Sequence, residues 1–439
     1  PQSIVLGRTG IGKSALIEQL ERNSERVIRI EPEELALGHV SNSTILNFFE
    51  GLGVNLDIFY NLLWQHTLAV ELIKHKYDID SAEAKESFLE SISSRLRGNQ
   101  KNKQALAYIE EWGDKFWLDT ETRIKELTGK LESSLNSNVG LDIPGIKQGI
   151  NGGVKLSEEQ KAEIIHYGQK VVSSVQIEKL SKVVNLLSQD IFTDPQKRVY
   201  VLIDRLDENW VDDELRYKLI RALIETIKKF RNIEPVKIVV TLRTDLLNRV
   251  LDKTRDSGFQ REKYDSLFLD LGWNKEQLKR LLDKRVNHLL KHKYTNGDVS
   301  FDDVFPSKIE KVSASEYVLD RTLLRPRDAI MFVNTCLKES EGKVEITASI
   351  MKLAEKPYSS GHIESLKYEW FVEHPFLQNY IDILHTKSSS FKVSAVTDSE
   401  LEKIVAELIE TPFENADIAV RSAHSYMKSE YPVSLDYIA

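Results

Sequence analysis

Residues 7–14 carry the densest chemistry in the sequence: Gly7-Arg8-Thr9-Gly10-Ile11-Gly12-Lys13-Ser14. They follow a short apolar run, Ser3 to Leu6, and open an amphipathic run, Lys13 to Arg22. The spacing is G-x-x-x-x-G-K-[ST], set between a strand and a helix. The glycines let the backbone turn tightly with no Cβ in the way. Amides of the whole loop, those of Arg8, Thr9 and Ile11 included, then converge on phosphate oxygens at a helix N-terminus, where the dipole favours negative charge. Lys13 can reach the β- and γ-phosphates, and the Ser14 hydroxyl can ligate Mg²⁺. The bland alternative is a glycine-rich turn with a chance lysine. The agreement of strand, loop and helix argues against it.

Such a lysine needs a metal-holding acid on a neighbouring strand. Asp204 fits, because it ends the apolar run Val199-Tyr200-Val201-Leu202-Ile203. A run of that kind suits a parallel strand buried on both faces. Ligands sit at the carboxyl ends of strands in open α/β sheets. Asp204 would hold Mg²⁺ directly or through water, and one of Asp207 and Glu208 would polarise an attacking water as general base. Alone, Asp204 would read better as the cap of a strand. The run Lys237–Leu242 leads into Arg243-Thr244-Asp245. Arg243 can stabilise charge developing on a phosphate, or simply pair with Asp245. Arg325 and Arg327 flank Pro326, which is allowed at a helix start. They can reach back to nucleotide phosphates, or pair with Asp328 or Asp320.

These residues need a sheet to hold them. Strand runs at 3–6, 26–30, 199–204, 237–242 and 267–271 alternate with helical runs at 13–22, 212–231, 244–252 and 274–293. Alternation of this kind predicts an α/β fold with a parallel sheet. Roughly 165 residues separate the second strand from the third, far more than an ordinary βα connection. Within them Phe59, Leu62, Leu63, His66, Val70 and Ile73 keep helical spacing. Residues 45–52, 82–96, 103–135 and 158–189 also read as helices, and 136–155 as a loop or hairpin. The insertion is expected to be a helical module with a core of its own, where Trp64, Trp112 and Trp117 are mostly core and some of the apolar surface is a candidate site for a protein partner or effector. Past residue 296 the pattern predicts helices at 326–340, 346–354, 359–384 and 398–410, with a short strand at 391–396. The expected domains are an α/β core at 1–40 and 195–273, the insertion at 41–194, a helical lid at 274–355, and a mainly helical region at 356–439, for which a winged-helix-like form is one expectation.

The chain has 439 residues, a net charge of −8 and a pI near 5.8. That balance argues against a generally basic nucleic-acid binder. The basic run with Lys279, Arg280, Lys284, Arg285, Lys291 and His292 reads better as a solvated helix face. His288 and His292 are four apart with no third ligand in view, so zinc is not expected. The single cysteine, Cys336, cannot form an intrachain disulfide and fits a reducing compartment. No stretch of 18 apolar residues is free of charge, so no membrane span is expected and the cytoplasm is the expected location. A core strand this close to Pro1 suggests that the natural protein extends upstream.

Four segments together, GRTGIGKS at 7–14, VYVLIDRLDE at 199–208, KIVVTLRTD at 237–245 and LLRPRDAIMFVN at 323–334, resemble P-loop ATPases of the AAA+ and STAND type. The nearest branches are the NACHT and KAP proteins and related prokaryotic P-loop ATPases. The resemblance covers roughly 1–35 and 195–340. It implies a P-loop NTPase core with ATP and Mg²⁺ held between sheet and helical lid. Lys13 and Ser14 match the Walker A lysine and hydroxyl, Asp204 the Walker B acid, Glu208 the second acid of a D-x-x-D-E form, and Arg243 a sensor arginine. Two departures stand out. Many AAA+ proteins carry glutamate directly after the Walker B aspartate, where this chain has Arg205, which leaves the base open between Asp207 and Glu208. KAP proteins often insert membrane spans where this chain has a polar insertion. Such proteins often assemble on activation, so a homo-oligomer is expected, with Arg205, Arg243, Arg249 and Arg255 as arginines able to complete a neighbour's site. Many prokaryotic members serve in defence against phage. A nucleic-acid-dependent motor and a scaffold with little turnover are the other classes.

Overall fold

A computed structural model describes residues 2–35, 56–79, 83–84, 86–87, 90–91, 177–254, 261–371, 376–385, 387–388, 390–392, 395–410 and 420–424. The chain divides into two compact units, Pro1–Leu278 with Leu324–Arg327, and Lys279–Leu323 with Asp328–Ala439.

The first unit is α/β. Five strands, β1 (Ile4–Gly7), β2 (Val27–Ile30), β3 (Val199–Ile203), β4 (Val236–Arg243) and β5 (Phe268–Asp270), form one parallel sheet in the order β2-β3-β4-β1-β5. Ile4 pairs with Val240 on one side and with Phe268 on the other, so the first strand lies inside the sheet. Parallel strands covered on both faces need apolar side chains in both directions. Ile4, Leu6, Val201, Ile203, Ile238 and Val240 point into one large core, while Val5, Leu202 and Val239 meet Ile17 in a smaller cluster on the other face. Ile17 belongs to helix α1 (Lys13–Asn23), which therefore backs the smaller cluster.

The large core is filled by α2 (Asp57–Tyr77), α3 (Ile177–Leu186), α4 (Asp213–Phe230) and α5 (Thr244–Lys253). Helix α2 is buried along most of its circumference, with Phe59, Tyr60, Leu63, Trp64, Leu68 and Ile73 enclosed together with the polar Gln65, His66 and Thr67. The described helices of the insertion thus share the sheet's core rather than building their own. Trp64 donates its indole N–H to the Leu219 carbonyl at 2.8 Å, and Asn61 donates to Glu225 at 2.8 Å, which ties α2 to α4. The helices read at 45–52 and 103–135, and the loop at 136–155, lie outside the described residues.

The second unit is helical: most of α6 (Lys275–Leu290), then α7 (Phe301–Val304), α8 (Ala314–Leu319), most of α9 (Pro326–Glu339), α10 (Ala348–Trp370), α11 (Leu377–Leu384) and α12 (Asp398–Leu408). Phe332 stacks on Tyr358 with ring centres 4.6 Å apart, and Arg321 donates to Glu355 at 2.6 Å beneath the Tyr317 ring. Two sequence expectations fail here. The break expected near residue 355 is absent, because α10 runs through Pro357. The strand expected at 391–396 does not form among its described residues. Ala395 instead donates its amide to the Lys392 carbonyl, closing a turn, and Thr397 and Glu400 form the capping box that starts α12. Among the described residues no helix is long and apolar enough to cross a membrane.

Candidate functional site

Strand β1 delivers the chain to Gly7, and the loop then turns back into α1. A Cβ built on Gly7 would sit 2.6 Å from the Ile11 side chain, so only glycine allows this close return. Gly12 caps α1 with φ at +105°, a left-handed value that disfavours side chains. Space beside it is open. The first turn of α1 itself holds no acidic residue, and the acids that face its positive end come from the loop after β3. Outside the loop, Trp273 donates its indole N–H to the Ile11 carbonyl at 2.8 Å, and Leu271 donates its amide to the Leu6 carbonyl at 2.8 Å. The segment after β5 therefore pins the loop from behind.

Lys13 folds over the loop, with its ammonium 3.0 Å from the Gly7 carbonyl and 3.2 Å from that of Arg8. Burial pulls its pKa below the ordinary lysine value. Arg243 adds to that shift, while Asp207, Asp204 and Asp245 oppose it. Asp204 is buried at the end of β3, and its carboxylate accepts a hydrogen bond from the Thr241 hydroxyl on β4. Arg205 follows in a left-handed conformation, φ +61°. That turn sends the chain across the carboxyl edge of the sheet, so that Asp207 and Glu208 return to the same place.

A cavity of about 390 Å³ is lined by Thr9, Gly10, Gly12, Lys13, Ser14, Ala15, Asp204, Arg205, Asp207, Glu208, Pro326 and Arg327. Arg327 enters because its amide donates to the Gly10 carbonyl at 3.3 Å and its side chain lies against Gly10. Other candidates are absent from this lining. Gly7 and Ile11 support the loop from within, and Arg8 is exposed. Arg325 is buried away from the cavity. Arg243 is held by two hydrogen bonds to Asp245, at 3.0 and 2.7 Å, and lies 3.8 Å from Asp207. Arg249 also faces Asp245, at 3.7 Å. Arg255 lies outside the described residues.

Glu208 and Asp207 differ in surroundings. Asp207 faces Arg243. Burial raises the pKa of Glu208 above the ordinary carboxylate value. Arg205, 3.6 Å away, opposes the shift, and Glu33 and Asp207 reinforce it. Glu33 also shares a hydrogen bond with Glu208. It stands in the 3₁₀ turn Pro32–Leu35, just past β2.

Thr241, Trp273 and Glu33 escape the sequence reading. Thr241 lies within the quoted KIVVTLRTD segment and could have been read from its place near the end of a buried strand. Nothing local marks Trp273 or Glu33, because both act through strands distant in sequence. Among the described residues no group of three or more metal-ligating side chains of the His, Cys, Asp and Glu types is found.

Residues 276–367 match the FunZ-associated C-terminal helical domain family. The chain is 22% identical over 446 aligned positions to an Escherichia coli (strain K12) chain described as a transposon gamma-delta 80.3 kDa protein. The alignment covers 98% of this chain and 55% of that protein, so the chain spans about half the length of its curated relative. No solved structure matches the chain.

Proposed function

We propose that this chain is a P-loop ATPase of the AAA+/STAND kind, a switch that binds and slowly hydrolyses ATP with Mg²⁺ and couples nucleotide state to conformation and assembly. One observation carries the reading. Lys13 and Ser14 from the first strand and helix, and Asp204, Asp207 and Glu208 from the end of β3, line a single cavity. The residues fit a nucleoside triphosphate with its metal. Gly12 leaves open backbone at a helix N-terminus whose own first turn carries no acid. Thr9 adds a buried hydroxyl that has no hydrogen-bond partner among the described residues. Bound Mg²⁺ would neutralise phosphate charge, with Ser14 and Asp204 as the residues to hold it.

The protein's own groups then divide the work. Loop amides and Lys13 bind phosphate, and Arg327 adds positive charge at the rim of the cavity. Glu208 is the better general base, since a raised pKa makes it the stronger proton acceptor, while Asp207 is engaged by Arg243. Arg243 acts through Asp207 and Asp245 and orients the acid loop. Lys13→Ala tests the reading by equilibrium binding of ATP with Mg²⁺. We expect loss of tight binding with the fold intact, and unchanged affinity would overturn the assignment.

A second reading is favoured by the relative's name, which refers to a transposon, and by the basic face of α6 within the matched domain. On that reading, DNA stimulates hydrolysis. Turnover measured with and without DNA or RNA separates the two. A role in defence against phage rests on the family resemblance alone, as does assembly into a homo-oligomer. A scaffold with little turnover would bind ATP yet show no product.

A further inference from the structure

Asp207 and Glu208 lie on a loop, yet a general base has to keep its direction. The loop is closed by its own bonds: the Glu208 amide donates to the Arg205 carbonyl at 3.1 Å, and the Trp210 indole donates to the Leu206 carbonyl at 3.1 Å. Arg216, on the first turns of α4, adds a tie from outside. Its guanidinium donates to the Glu208 carbonyl at 2.9 Å and to the Asn209 side chain at 3.0 Å, and it also bonds Asp213. The Arg216 side chain is only 6% exposed. A buried guanidinium keeps its charge, and its planar fork fixes several acceptors at once. Helix α4 is in turn immobilised by Leu215, Leu219 and Leu223 in the large core and by the Asp212 cap, which accepts from the Leu215 amide.

We propose that Arg216 is a positioning residue that clamps the acid loop to the core helix and so fixes the direction of Glu208 relative to Asp204. This rests on the ATPase reading for its functional meaning, but the clamp itself is a property of the nucleotide-free chain. Arg216 sits outside the phosphate-binding loop and does not line the cavity. Its loss should therefore slow turnover without weakening the hold on nucleotide.

The experiment compares the parent chain with Arg216→Met, Arg216→Lys and Asn209→Ala. Amide hydrogen exchange is read in nucleotide-free protein, then ATP affinity and turnover are measured. Arg216→Met is expected to speed exchange at residues 205–210 by about tenfold or more, as loss of a buried charged donor should, while residues 12–17 stay unchanged. Turnover should fall by about tenfold and ATP affinity by less than about twofold. Arg216→Lys should recover part of the protection, because one ammonium can still reach the Glu208 carbonyl. Unchanged exchange at 205–210, or equal loosening at 12–17, overturns the proposal. Should Arg216→Met not fold, Asn209→Ala removes one acceptor and should loosen the same amides to a smaller degree, and no change there also overturns it. A parent chain that neither binds nor hydrolyses ATP overturns the ATPase reading instead, and the exchange result still decides the clamp.

Discussion

Loss of solvent around Glu208 is the main cause of its raised pKa, and Glu33, a carboxyl brought from the turn after β2, adds to it through its charge and a shared hydrogen bond. On the ATPase reading Glu208 must be deprotonated to act as base, so turnover should fall as pH drops through that raised pKa. Glu33→Gln removes a neighbouring negative charge and should shift the acid limb of the pH–rate profile to lower pH. An unshifted limb would mean that Glu33 leaves the base untouched. A carboxyl with a folded pKa above its unfolded value binds its proton more readily when folded, so its contribution disfavours folding as pH rises through the interval between the two values. Glu33→Gln should lessen that loss, seen as a smaller drop in melting temperature on the alkaline side of the interval. Thr241 makes a second residue-scale test. Thr241→Val keeps the shape but leaves the buried Asp204 carboxylate without that donor, which should destabilise the fold by about 1–3 kcal/mol in urea unfolding. GRTGIGKS and Asp204 were legible in the sequence because their meaning is local: glycines at fixed offsets, an acid closing an apolar run. Glu33, Trp273 and Arg216 were not. Each acts through a backbone group or side chain that only the folded sheet brings within reach.

Among the elements, α2 most clearly departs from local expectation. Its helical spacing was plain in Phe59, Leu62, Leu63 and Ile73, but spacing cannot say against what a helix packs. Gln65, His66 and Thr67 are polar, yet all three are buried, so polarity along the helix did not reveal the larger core around it. Asn61, Trp64 and Asp57 reach α4 through Glu225, the Leu219 carbonyl and Arg221 respectively. Trp64 is among the largest fully buried side chains. Trp64→Ala should cost about 3–5 kcal/mol, measured by chemical denaturation. If α2 were a detachable module, that loss would appear as a separate early transition with the sheet intact. A shared core predicts one cooperative transition in which sheet and α2 unfold together. The failure at Pro357 has an equally physical cause. A proline inside a helix removes one hydrogen bond and bends the axis, but it need not end the helix where flanking turns are packed, and Ala354 and Tyr358 are both buried.

For the whole molecule, the strand order could not be read from the sequence, because alternation of strands and helices permits several orders. Assembly is testable at this scale. Arg205 is a largely exposed arginine at the rim of the cavity, suited to meeting a second copy. Light scattering in ADP and in a non-hydrolysable ATP analogue should show growth in the ATP state. A monomer in both, with hydrolysis independent of protein concentration, would leave Arg327 as the arginine that closes the site from within. The position of β1 also bears on the order of synthesis. It is made first among the strands, yet its two neighbours in the sheet are made last, since Ile4 pairs with Val240 and Phe268. At roughly 5–20 residues per second, the ribosome needs roughly ten to fifty seconds to get from Gly7 to Arg243. During that interval GRTGIGKS is a flexible glycine-rich stretch with neither the sheet beneath it nor Trp273 behind it. On the ATPase reading, a nascent chain would not hold nucleotide until translation has passed the fifth strand, and ligand binding could report that point.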